Sequence, residues 1–265
     1  MPMARGQRHG ADGTVGGVDW TLAEETPVAV VINAAPFAVM MATPADLEDF
    51  ALGFCLGEGL IAAPDALLLT KTTRLDMGWE LCLAVDPDQA DTDRLAGRRG
   101  LEGRTGCGLC GVETLAQAVP KPARVGAPPP GLTPAAITRA FAALPDHQPL
   151  NARTRSVHAA AFCGPDGAIL MAREDVGRHN ALDKLIGAVV RADLNPADGF
   201  VVMSSRCSVE LVHKAARVGV PVLATISAPT TLALDTAARA GMTLAARAGP
   251  DEVAWFPPEV ERALG

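Results

Sequence analysis

Apolar positions along the first half of the chain come in short runs broken by turn residues. Residues 27–33 and 37–42 are Val- and Met-rich and flank Asn33-Ala-Ala-Pro36, the pattern of a β-hairpin. Thr43-Pro44 then has the form of a helix start, with Thr43 as N-cap and Pro44 in the first turn. Leu47, Phe50, Ala51, Phe54 and Cys55 recur at helical spacing until Gly57 and Gly59. Residues 67–75 and 79–85 predict a second strand pair turning at Asp76-Met77-Gly78, and 112–119 fit a short helix. Residues 121–131 carry four prolines and two glycines, which cannot continue regular structure.

Beyond that break the rhythm changes. Thr133-Pro134 repeats the N-cap and proline opening for a helix through Leu144, and residues 157–163 and 168–172 flank Gly164-Pro-Asp-Gly167 as a hairpin. Apolar runs then alternate with helical stripes: a helix after Asn180 (Leu182, Leu185, Ile186, Val189), strand 200–203, helix 208–218, strand 220–226, helix 231–240, strand 242–246. Such alternation predicts a mainly parallel sheet covered by helices. The expected organisation is a disordered stretch at 1–25, its Gly-rich polar part being 1–17, a small α+β domain at 26–120, a linker at 121–131 and an α/β domain at 132–265.

Loops leaving the carboxyl ends of parallel strands line one edge of a sheet, where ligands bind. Three polar segments share that address: 173–180, 204–208 and 227–231. Each runs into a helix start, so exposed amides, the hydroxyls of Ser204, Ser205, Ser208, Ser227 and Thr230, and the charges of Arg178 and Arg206 form a candidate phosphate cradle. Asp175 and Asn180 offer acceptors and donors to the polar edge of a base or pterin, and His179 lies between them. Helix capping accounts for one Ser or Thr per loop but not for three such loops together.

The densest chemistry is Thr105-Gly-Cys107-Gly-Leu-Cys110-Gly111. Arg98, Arg99 and Arg104 outweigh Glu102 nearby, which favours thiolate. Structural zinc calls for four ligands and the chain has no second pair, and no His-Glu-x-x-His motif occurs; no metal is expected. A thioredoxin-like site needs a buried strand before the first Cys, whereas 91–106 is polar and Gly/Arg-rich. The remaining readings are a nucleophilic pair on a loop, suited to carrying sulfur, or ordinary loop cysteines. The other Cys residues, 55, 82, 163 and 207, sit in apolar runs without a disulfide framework, which fits a reducing cytosol and a cytoplasmic protein. A net charge of −7 argues against general nucleic-acid binding, and no apolar run reaches membrane-spanning length. Hydrophobic content of 49% with 4% aromatics and no Tyr predicts a core of Ala, Val and Leu.

Thr105-Gly-Cys-Gly-Leu-Cys-Gly-Val-Glu113, Glu174-Asp-Val-Gly-Arg-His-Asn-Ala-Leu-Asp-Lys184, Ser204-Ser-Arg206, Glu210-Leu-Val-His-Lys-Ala-Ala216 and Val222-Leu-Ala-Thr-Ile-Ser-Ala-Pro-Thr230 together closely resemble the FdhD family, the formate dehydrogenase accessory sulfurtransferases. Leu52-Gly-Phe-Cys-Leu-Gly-Glu-Gly59 is similar to the amino-terminal half of that family. Two segments depart from its pattern: Thr154-Arg155-Ser156-Val157 stands where Thr-Gly-Gly is usual, and 245–250 retains one Arg and one Gly of the usual Gly-Phe-x-Arg-Gly tail.

The resemblance implies a cytidine-deaminase-like three-layer carboxyl-terminal domain and a homodimer. It implies that a cysteine desulfurase supplies persulfide sulfur to Cys107, with Cys110 assisting its transfer or release. The sulfur passes to the molybdenum bis(molybdopterin guanine dinucleotide) cofactor before that enters formate dehydrogenase, and a GDP-like nucleotide mimics the cargo. The cofactor-binding residues it implies are Asp175, Arg178, His179, Asn180, Ser204, Ser205, Arg206, Ser227, Ala228, Pro229 and Thr230, with the tail Ala245, Ala246, Arg247, Ala248, Gly249 and Pro250. The competing class is a non-enzymatic chaperone whose loops bind the cofactor and whose cysteines merely form a disulfide or a shared metal site. A zinc hydrolase lacks its His-x-Glu and Pro-Cys-x-x-Cys signature here.

Overall fold

The structure, a computed structural model, describes residues 1–97 and 120–259. The expected helix at 112–119 and the pair Cys107 and Cys110 lie outside the described residues.

The amino-terminal residues, expected to be disordered, form an antiparallel hairpin of β1 (Met3–His9) and β2 (Val15–Thr21). The Asp12 side chain accepts from the Thr14 amide at 3.1 Å in the turn. At the far end the Trp20 indole N–H donates to the Thr154 carbonyl at 3.4 Å, and the Arg155 guanidinium lies 5.6 Å from that ring. Every β1 side chain is exposed, so the hairpin leaves no apolar period to read.

A four-stranded sheet follows, in the order β4-β3-β6-β5. β3 (Thr26–Ile32) and β4 (Ala35–Ala42) form the expected hairpin through Asn33 and Ala34, whose φ values of 48° and 63° belong to a two-residue turn. β5 (Leu67–Leu75) and β6 (Gly78–Val85) are the second pair, with β6 parallel to β3. Alternate residues Val28, Val30, Ile32, Leu81, Leu83 and Val85 form the buried face, against which α1 (Leu47–Gly57) packs. α2 (Thr92–Gly97) follows. α1 starts later than its sequence suggests. Asp46, at φ 53°, occupies the N-cap, and Thr43 spends its polar groups on the second half of the chain. Tertiary hydrogen bonds here outweigh local capping preference.

The second sheet has six strands, in the order β12-β11-β10-β9-β7-β8. They are β7 (His158–Cys163), β8 (Ile169–Asp175), β9 (Phe200–Met203), β10 (Val222–Thr225), β11 (Thr243–Arg247) and β12 (Val253–Phe256). Only β9, β10 and β11 pair in parallel; β7, β8 and β12 join antiparallel, so the sheet is mixed rather than mainly parallel. Two successive reversals give β8 the direction of β9, which brings the carboxyl ends of β8, β9, β10 and β11 to one edge.

One face is covered by α3 (Pro134–Ala143), where Thr133 caps the first turn as expected and Ile137, Ala140 and Phe141 meet Ala159, Ala161, Val202 and Ala224. The short α4 (Pro149–Thr154) ends at Arg155 with φ 56°, a left-handed position that favours glycine. The opposite face carries α5 (Arg178–Arg191), α6 (Val209–Arg217) and α7 (Thr231–Ala240), whose Leu182, Leu185, Leu211 and Ala237 meet Phe162, Val201, Met203 and Leu223. Helices on both faces make this half an α/β layered unit.

α1 lies directly on α5, and ion pairs clasp the junction: Asp49 receives Arg173 and Arg191, each at 2.8 Å. Residues 121–129 run without regular structure, as their prolines dictate, but the halves on either side share one continuous apolar core.

Candidate functional site

The three polar segments leave the same carboxyl edge of the six-stranded sheet, and backbone bonds join 204–208 to 227–231 and to β7. The Ser204 amide donates to Ala159, Ile226 to Met203, Ser227 to Ser205 and Thr230 to Cys207, at 2.9, 3.0, 3.4 and 3.1 Å. Arg247 ends the neighbouring strand β11. The insertion of β7 between β9 and β8 adds His158, which sequence order alone does not put there.

Asp175 and Asn180 do not face this edge. Asp175 is 0% exposed, and its carboxylate accepts from four donors: Lys184 Nζ at 2.6 Å and the Thr43 amide at 2.9 Å on Oδ2, the Gly177 amide at 2.8 Å and Asn180 Nδ2 at 3.0 Å on Oδ1. Asn180 Nδ2 also donates to the Met41 carbonyl at 2.8 Å, while Lys184 donates to the Thr43 carbonyl at 2.9 Å. With no lone pair to spare, this network locks the loop before α5 onto the end of β4. Glu174 is similarly committed, accepting from the Leu150 and Asn151 amides at 2.8 Å each to cap α4.

Ser204 Oγ accepts from the Ala159 amide at 2.8 Å and lies 3.4 Å from His158 Nδ1. Ser205 is buried and donates to the Arg206 carbonyl at 3.0 Å. Arg206, Ser227, Ala228 and Thr230 are exposed and Pro229 half-buried, although Thr230 also caps α7 through the Ala233 amide at 3.2 Å. In the tail, Ala245 and Ala246 are buried within β11, so their side chains cannot meet a ligand. Arg247 and Ala248 are exposed, and Arg247 closes its own turn on the Gly249 and Pro250 carbonyls at 3.2 and 3.4 Å. What remains open along the edge is cationic and hydroxylic: Arg206, Arg247, Ser227 and Thr230, beside the first turns of α5, α6 and α7. Helix N-termini and guanidinium groups together suit an anion.

Near this edge lie Glu58, Asp183, Glu210, His213 and Lys214, to which the sequence assigns no site role, together with His179 and Ser208. Lys214 joins both Asp183 oxygens and Glu58 Oε1, all at 2.8 Å, and its ammonium sits 5.5 Å from the Phe54 ring. Burial pushes Asp183 up to about 7. His179 Nε2 and Glu210 Oε2 face each other at 3.9 Å, and among the described residues neither has a hydrogen-bond partner; Ser208 Oγ and His213 Nε2 are likewise buried without one there. Burial first, then the Arg217 and Arg239 charges, hold His213 down to about 4. Glu210 and His213 stand in the Glu-Leu-Val-His motif, the only sequence signal that marked them.

His179 is held down to about 3, by burial first and then by the Arg178 and Lys214 charges. The unfolded chain protonates this imidazole below about pH 6.5 and the folded chain far lower, so its contribution is full above 6.5 and drains on acidification. Between pH 7 and pH 5 this amounts to about 2 kcal/mol. We therefore expect His179→Gln to lose about 2 kcal/mol less than the native chain over that interval in parallel urea titrations. Equal losses in the two proteins would remove this account of His179.

Burial drives the thiols of Cys55, Cys163 and Cys207 up to about 12, and desolvation first, then a hydrogen bond to Glu80 at 3.4 Å, raises Cys82. Among the described residues, then, no cysteine is an activated thiolate, and no group of three metal-ligating side chains occurs. Nor is any described helix long and apolar enough to cross a membrane.

The chain is similar to known proteins. Over 232 residues the chain is 53% identical to the sulfur carrier protein FdhD of Chromobacterium violaceum, covering 86% of this chain and 85% of that protein. It is 46% identical to the sulfur carrier protein FdhD of Agrobacterium fabrum over 236 residues, 89% of this chain and 86% of the other. The crystal structure of a formate dehydrogenase accessory protein from Desulfotalea psychrophila superposes with a TM-score of 0.74 at 24% identity, covering 97% of this chain and 96% of that one, and so shares the fold. The profile of the FdhD/NarQ family matches residues 23–260, and the chain belongs to that family.

Proposed function

We propose that this protein is a sulfur carrier for the maturation of formate dehydrogenase, with Cys107 as its carrier thiol. The observation that carries the reading is 53% identity, over most of both chains, to a protein named for sulfur carriage. The Cys107-Gly-Leu-Cys110 pair supplies the one thiol pair set in an arginine-rich stretch, whereas the described cysteines have raised thiols. The Cys107 thiolate attacks the terminal sulfur of a cysteine desulfurase persulfide. The desulfurase S–S bond breaks, its own thiolate leaves, and Cys107 holds the persulfide. Cys110 can then attack the Cys107 sulfur, forming a disulfide as the carried sulfur departs to an acceptor.

The acceptor in this reading is the bis(molybdopterin guanine dinucleotide) cofactor, bound as cargo in the cytoplasm by a homodimer. The open rim of Arg206, Arg247, Ser227 and Thr230 at three helix starts supports phosphate binding there. The buried Asp175 and Asn180 serve this cradle indirectly, by fixing the turn ahead of α5.

Intact-protein mass spectrometry after incubation with a cysteine desulfurase and cysteine tests the carrier step. The native chain is expected to gain sulfur that reductant removes, and Cys107→Ala to gain none at this site while still binding GDP. Equal loading of both proteins, or none of the native chain by an active desulfurase, would leave only the cofactor-chaperone function.

A further inference from the structure

β5 closes one side of the four-stranded sheet, and no described strand pairs with its free edge. Over nine residues it leaves a row of backbone N–H and C=O groups open. Leu68, Leu69 and Leu75 along it are 64%, 57% and 50% exposed, so the edge is apolar as well as unpaired. A long, uncovered edge of this kind is a template for a strand from another chain.

The side chains specify what that strand carries. Pairing with Ala84, Cys82, Glu80 and Gly78 puts Leu69, Lys71, Thr73 and Leu75 on one face, the reverse of the face that buries Leu81 and Leu83. Arg74 projects from the other face, opposite Trp79. Lys71 and Arg74 are both exposed, no ion pair engages either among the described residues, and 67–75 holds no carboxylate. The complementary strand has a carboxylate opposite Lys71, a second near Arg74, and aliphatic side chains opposite Leu69 and Leu75. A second copy of β5 lacks those carboxylates. A two-fold axis near the strand centre would also set Lys71 opposite or diagonal to its own copy, a like-charge contact that strand pairing penalises.

We infer that the β5 edge docks the protein that donates sulfur, taking from it an extended acidic and aliphatic segment as a fifth strand. Position favours the donor over the formate dehydrogenase client. β5 and β6 belong to the half that continues through α2 toward Cys107 in sequence, whereas the cationic rim is built on the other sheet. The inference rests on the reading of the chain as a sulfur carrier and adds the surface by which the donor is recognised.

Persulfide loading of the native chain and of the double variant Lys71→Glu with Arg74→Glu, from two sulfur sources, tests it. One source is a cysteine desulfurase with cysteine. The other is inorganic polysulfide: the Cys107 thiolate attacks a terminal sulfur, an S–S bond breaks and the shortened polysulfide leaves. From limiting desulfurase the double variant is expected to load on the order of 10- to 100-fold more slowly than native. From polysulfide it should load at the native rate, which also reports that it is folded and its carrier thiol intact. In the native chain, amide hydrogen exchange across Leu67–Leu75 should slow when the desulfurase is added. Equal desulfurase loading of the two proteins, or β5 amides indifferent to the desulfurase, overturns the inference while leaving the carrier function standing. So does protection of those amides by formate dehydrogenase instead, or by concentrating the chain alone, which assigns the edge to a second copy. A native chain that an active desulfurase does not load overturns both.

Discussion

Replacing Lys184 by alanine is expected to cost about 3–5 kcal/mol of folding free energy, the range for removing one partner of a buried ion pair. Lys184 and Asp175 are both 0% exposed and 2.6 Å apart. Without the ammonium, the Asp175 carboxylate keeps its amide and side-chain donors but loses its only counter-ion within contact among the described residues. The Thr43 carbonyl loses its donor as well. The isolated pair is not the source of this cost, since desolvation offsets much of its attraction; the cost comes from leaving one charge buried alone. Lys184→Met combined with Asp175→Asn should therefore lose less than Lys184→Ala alone. Urea midpoints of the three proteins decide the matter. A Lys184→Ala chain within 1 kcal/mol of native, or a double variant worse than the single, would show that the network does not hold the α5 turn in this way.

That network also explains what the sequence could and could not disclose. The strand and helix alternation after residue 157 is legible because the central strands are short, nearly all-apolar runs: all four residues of β9 and of β10 are buried. Given that alternation, the address of the three loops follows from general topology. The position of β7 is not legible, because an antiparallel strand between β9 and β8 is chosen by long-range pairing, and with it comes His158. Thr43 has a strong local preference for an N-cap, which three bonds to residues 175, 176 and 184 override. Asp175, Asn180 and Glu210 look equally available as letters. Only burial separates the two that hydrogen-bond each other inside the fold from the one left with an oxygen that finds no partner among the described residues.

A change as small as Gly187→Ala should destabilise the protein by about 3 kcal/mol or more, the upper end of overpacking costs. The sign is the informative part, because Gly to Ala in a helix interior ordinarily stabilises by roughly 0.5–1 kcal/mol. Gly187 on α5 and Gly53 on α1 mark the crossing of the two helices, each against the backbone of the other. A methyl at Gly187 would overlap the Asp49 carbonyl, and one at Gly53 the Asp183 carbonyl. Neither carbonyl can yield easily. Asp49 is pinned by Arg173 and Arg191, and Asp183 by Lys214. The helices would have to separate, and with them the first turn of α5, which carries Arg178 and His179 into the candidate site. Since one separation relieves both overlaps, Gly53→Ala with Gly187→Ala should cost less than the sum of the single changes. Calorimetric melting of the native protein, both single variants and the pair gives the answer. A Gly187→Ala protein as stable as native would mean that the helices cross with room to spare, and strict additivity would mean that the two glycines do not share one contact.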